Sequence, residues 1–114
     1  FMFSQQYRLR SEKDVMRAIR SKRGVFDRAC GVKFVSTEIG NPRFVIVVST
    51  KVSKSSVERN KVRRQYREIC KKFIPDLPSA DIALLVSKPA LELSFQDMRD
   101  QLQKTLVKAK LLAK

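Results

Sequence analysis

Two apolar runs, RFVIVVST at 43–50 and DIALLVSK at 81–88, constrain this chain more than any other feature. Neither run alternates with polar residues, so each reads as a strand covered on both faces. One helix-length segment lies between them and is closed by Pro75 and Pro78. A strand, a helix and a strand at that spacing predict a βαβ unit, with its strands parallel and its helix packed on the sheet. The run at 43–50 is expected at the centre of that sheet.

The remaining elements build around this unit. CGVKFVST at 30–37 alternates, with Val32 and Phe34 on one face, and GNP at 40–42 turns it into the first apolar run. Ser11 is placed to cap a helix over roughly 12–22, with Asp14 completing a capping-box-like pair and Val15, Ala18 and Ile19 on the apolar side. Residues 23–28 read as a basic, irregular connection. Ser94 and Asp97 open a last helix, with Phe95, Met98, Leu102, Leu106 and Ala109 along one side. With 114 residues, 43% of them hydrophobic, there is material for one core and not for two. The expectation is one domain, 1–114, with an α+β (αβ sandwich) fold. It has an N-terminal helix and a small mixed β-sheet of about four strands, including the parallel βαβ unit, with helices packed on the sheet.

The segment between the apolar runs carries an unusual charge load. VERNKVRRQYREICKK at 57–72 holds seven Lys and Arg in sixteen residues. At about 100° per residue, Val62, Tyr66, Ile69 and Phe73 form one narrow stripe, which must face a core. Asn60, Arg63, Arg64, Arg67 and Lys71 gather on the opposite side, and Ser55 or Ser56 can cap the helix. Glu58 and Glu68 are the only acids in the stretch, so most cations repel one another at a few tenths of a kcal/mol per pair. A bound polyanion offsets that repulsion. The whole chain agrees, with 25 Lys and Arg against 11 Asp and Glu and a net charge of +14.

Other chemistries find little support. The chain has no His, which removes the commonest general base and the usual partner of a Ser or Cys nucleophile. Cys30 and Cys70 are too few and too far apart for a metal-ligand pattern and read as small buried apolar residues. Asp81, Asp97 and Asp100 form no carboxylate cluster able to hold a catalytic metal. No run approaches the roughly 20 apolar residues that span a bilayer, and the apolar stripe of the basic helix is needed for the core. No membrane partner is expected. The N-terminal FMFSQQYRLR lacks the apolar centre of a signal peptide, so the default expectation is a cytoplasmic protein.

Arg59, Asn60, Lys61, Val62, Arg63, Arg64 and Arg67 follow Val48, Ser49, Thr50, Lys51 and a short basic loop. Together they resemble the signature of bacterial ribonuclease P protein subunits, VSKK, a spacer, then RNRxKRxxR. Thr50 departs from that pattern where it replaces a Lys. Arg8 and Leu9, then Ser87, Lys88 and Pro89, and the helix at 94–112 match further pieces of the family in order.

The resemblance implies a protein subunit of a ribozyme with no catalytic residue of its own. In that family the RNA removes the 5′ leader of precursor tRNA with RNA-bound Mg²⁺, while the protein binds catalytic RNA and leader. The expected partners are therefore the catalytic RNA and precursor tRNA, with no obligate protein partner and no metal site on the protein. The resemblance also implies a left-handed crossover in the βαβ unit. It assigns Asn60, Arg63, Arg64 and Arg67 to the shared RNA face, with Arg59 and Lys61 flanking. Lys51 and Lys54 are read as phosphate contacts, Lys88 is a further RNA-binding match, and Lys71 extends the charged face. A leader cleft is implied on the sheet between the first helix and the signature helix, lined by Val15, Ile19, Val32 and Phe34. By periodicity alone Val15 and Ile19 read as core, and Phe34 fits core or cleft equally. A ribosomal or general RNA-binding protein of similar fold is the alternative.

Overall fold

The computed structural model describes residues 5–113. Strands β1 (Gly24–Val25), β2 (Cys30–Ser36), β3 (Arg43–Val47) and β4 (Ala80–Val86) form one sheet in the order β1-β2-β4-β3. The pair β3 and β4 is parallel and the others are antiparallel, as the βαβ spacing predicts. Helices α1 (Glu12–Ile19), α2 (Ser56–Phe73) and α3 (Phe95–Lys108) pack on it.

The central strand is β4 and not β3. After α2 the chain returns between β2 and β3, leaving β3 with one paired edge. β3 is nevertheless covered on both faces, with Phe44 and Ile46 in the main core and Val45 against the cluster under α1, and its free edge is shielded. Arg8 bridges Phe44 in parallel, and the Leu9 N–H donates to the Phe44 carbonyl at 2.8 Å.

Strand pairing sorts the side chains onto two faces. Phe34, Ile82 and Phe44 stand in one cross-strand row, and Val32, Leu84 and Ile46 in the next. These rows meet Val62, Tyr66 and Ile69 of α2 and Met98, Leu102 and Leu106 of α3 in the main core. The opposite face holds a smaller cluster, in which Ala18 of α1 and Leu9 lie against Ala83, with Val15, Ile19 and Val45 around them.

Local chemistry explains the element ends. The Ser55 hydroxyl accepts from the Glu58 N–H at 3.2 Å and Ser94 from the Asp97 N–H at 3.1 Å, so both serines cap as expected. Ser11 has extended cap geometry but makes no side-chain cap bond. Asp14 is drawn away from it to Arg17 and Arg43, each at 3.4 Å. Arg43 also grips the buried Asp81 through two bonds of 2.7 and 2.8 Å, fastening β3 to β4 beneath α1.

Helix α1 stops at Ile19, short of 22, because Ser21 turns its hydroxyl to the Phe34 carbonyl at 2.7 Å. That turn feeds the two-residue β1 out of the stretch expected to be irregular. The last helix likewise ends early. Lys110 takes a positive φ of 64°, and Leu111 and Leu112 fold back to bond the Leu106 carbonyl and close the core.

Two predictions follow from this packing. Ile69 is fully buried, so Ile69→Ala is expected to cost about 2–5 kcal/mol in denaturant unfolding. An unchanged transition would contradict the orientation of α2. The second concerns Cys30, whose thiol burial pushes up to about 12 from 9.0. The folded state keeps a proton that the unfolded state releases, so stability is full below pH 9 and falls as pH rises from there towards 12. Urea midpoints measured across that window are expected to fall less steeply for Cys30→Ala than for the parent.

Candidate nucleic-acid interface

Helix α2 lies with its apolar stripe in the main core, which turns its basic residues outward and over the free edge of β3. Two of them brace the loop that precedes the helix. Arg59 Nη1 donates to the Ser53 carbonyl at 2.8 Å, and Arg63 Nη2 donates to the Val48 carbonyl at 3.2 Å. Asn60 Oδ1 accepts from Arg63 Nη1 at 2.6 Å, which orients the guanidinium and leaves the Asn60 amide nitrogen on an exposed residue.

The shielding of β3 brings in two cations that the helix pattern did not include. Arg8 and Arg10 join Arg63 and Arg67 around a hollow of about 230 Å³ floored by Leu9, Phe44, Val45 and Ile46. Among the described residues, no acidic residue lines it. Burial lowers the affinity of Arg67 for its proton, and the nearby charges of Arg8 and Arg63 lower it further. Arg8 Nε is buried without a hydrogen-bond partner. Four guanidinium groups at one edge, with no counter-charge in the wall, form a site suited to a phosphate backbone.

In the sequence Arg8 stands out through the family resemblance, and Arg10 carries no signal beyond its charge. The signal for both was the N-terminal charge itself, but their position depends on the bridge from Arg8 to Phe44, which local periodicity does not encode.

The other expected cations distribute around this edge. Lys61, Arg64 and Lys71 are exposed on α2. Lys51 and Lys54 follow β3 and Lys88 follows β4, and because those strands are parallel all three lie beyond the same end of the sheet. They are exposed as well.

The four residues expected to line one cleft are divided by the sheet. Val15 and Ile19 pack on the α1 face, whereas Val32 and Phe34 are 0% and 4% exposed on the opposite face, in the main core. Val32 and Phe34 therefore do not line a cleft with α1. The reason is strand alternation: Gly31, Lys33 and Val35 are the β2 residues that share the α1 face. Helix α1 covers this face only in part, and Lys33, Val35, Val45, Val47 and Leu85 remain half-buried along it.

A partly open sheet face bordered by an arginine-lined edge defines a small basic α+β protein shaped for an extended polyanion. The family model described as Ribonuclease P matches residues 3–110. The chain belongs to the ribonuclease P protein family. A ribonuclease P protein component of Rhodococcus opacus is 32% identical over 122 residues, covering 98% of this chain and 95% of that relative. Two cyanobacterial components, from Microcystis aeruginosa and a Cyanothece strain, are 32% and 38% identical. The chain spans 62% and 55% of their lengths. Among solved structures, the Staphylococcus aureus RNase P protein superposes with a TM-score of 0.85 at 28% identity, covering 93% of this chain and 97% of that one. The Thermotoga maritima RNase P protein gives 0.78 at 25% identity, covering 89% and 96%.

Arg64 is exposed on the outer face of α2. Arg64→Ala is expected to weaken RNA binding and to reduce the slope of log affinity against log salt by about one. Its melting temperature should match the parent's; a large loss of fold would remove Arg64 from the interface.

Proposed function

We propose that the chain is the protein subunit of a ribonuclease P ribonucleoprotein, binding the catalytic RNA and the 5′ leader of precursor tRNA. Membership of the family over residues 3–110 is the observation that carries this reading. The hollow of Arg8, Arg10, Arg63 and Arg67 supports it, because it gathers four guanidinium groups with no acidic residue among the described residues lining it.

In this reading Asn60, Arg63, Arg64 and Arg67 hold the RNA backbone along α2 and the β3 edge, with Arg8 and Arg10 completing the row. Arg59 and Lys61 flank it, Lys71 extends it, and Lys51, Lys54 and Lys88 receive phosphates at the end of the sheet. The half-covered face beside Val15 and Ile19 takes the leader. The protein is a non-catalytic subunit, and leader cleavage belongs to the RNA. Mg²⁺ supplies the metal chemistry there, bound mainly by RNA. The protein's cations neutralise phosphates that would otherwise need additional Mg²⁺, so its effect is largest when that ion is scarce. The setting is the cytoplasm.

The test is cleavage of precursor tRNA by a bacterial ribonuclease P RNA at low Mg²⁺, with and without this protein, alongside the protein alone. Cleavage restored only when both are present is the expected result. Tight RNA binding without rescue would favour a ribosomal or general RNA-binding role, and cleavage by the protein alone would overturn the assignment of chemistry to RNA.

A further inference from the structure

Phe26 is the one aromatic side chain among the described residues that stands mainly in water, with 66% of its surface exposed. It is held there by a specific bed. Its ring lies over Gly31, where an added Cβ would fall 2.5 Å from Phe26 Cδ1. The Lys33 ammonium sits 5.6 Å from the ring centroid. Gly31 and Lys33 point away from the main core, which contains their neighbours Cys30, Val32 and Phe34. The ring therefore lies on the half-covered face of the sheet.

From this position an apolar path crosses the sheet. Gly31 pairs with Leu85, and Leu85 with Val47, leading to the β3 strand whose edge carries the arginine hollow. Two strand spacings separate β2 from β3, about 10 Å in all. A single RNA strand with its backbone on the arginines and its bases turned inward occupies that width. Val15 and Ile19 of α1, which border the same face, offer no ring for a base to stack on.

We infer that Phe26 is a base-stacking platform for the single-stranded 5′ leader, with Lys33 beside it to meet a phosphate. This rests on the reading of the chain as a ribonuclease P protein subunit. An exposed ring gives stacking that tolerates any base, and the absent side chain of Gly31 leaves the space that the ring edge occupies against the sheet. Lys33 supplies the neighbouring charge while partly satisfied by the ring.

The test uses the full chain assembled with a bacterial ribonuclease P RNA and compares precursor tRNA carrying a leader with mature tRNA. Phe26→Ala is expected to weaken binding of the precursor roughly tenfold, with mature tRNA, the salt slope and the melting temperature unchanged. Phe26→Trp should retain precursor affinity. Because the chain contains no Trp, that variant also provides a single emission, expected to be quenched by precursor and not by mature tRNA. Equal effects on both RNAs, no effect of Phe26→Ala, or unquenched emission would overturn the inference. If the parent protein still restores cleavage in that case, the subunit assignment stands and only the role of Phe26 falls; failure of the parent to restore cleavage removes both.

Discussion

Strand β4 is hydrogen-bonded on both sides, antiparallel to β2 and parallel to β3, and the rest of the molecule is arranged by that choice. A parallel neighbour requires a long crossover, and α2 is that crossover. The helix is thereby fixed above one face, with its cations overhanging the β3 edge. The same insertion pushes β3 outward, so that its edge needs the N-terminal segment as a cover. The arginine hollow is where the cover and the crossover meet.

Burial and charge make opposite demands on α2. Val62, Tyr66 and Ile69 are buried to 4%, 1% and 0% exposure, which anchors the helix firmly enough to hold like charges together on its other side. Arg67 carries the local cost, with Arg8 and Arg63 close by. The buried Asp81, by contrast, is matched by Arg43 with two short bonds. Charge is thus compensated inside the sheet and left uncompensated at its edge. Under the proposed function, a bound polyanion acts on the second group and leaves the first alone.

Much of this could be read from the chain. The apolar stripe of α2, the caps at Ser55 and Ser94 and the parallel βαβ unit all follow from local spacing, and local spacing is what a sequence displays directly. The failures share a different cause. The edge position of β3 depends on where β4 inserts, and the place of Arg8 depends on a bridge to Phe44; both are long-range pairings. Ser11 resembles a capping residue, but Asp14 is claimed by Arg43 from another strand. In β2 the apolar residues occur on both faces, so composition could not say whether Phe34 or Lys33 faced α1, and one step in register exchanged core for surface.

The covering of β3 by Arg8 and Leu9 has a wider meaning. The helix alone does not form the hollow; Arg8, Leu9 and Arg10 arrive from a stretch far away in the chain, docked as though it were a fifth strand. Under the proposed function, a substitution that merely loosens the segment at Arg8 and Leu9 is expected to read out as a defect in RNA handling, although the signature helix is intact.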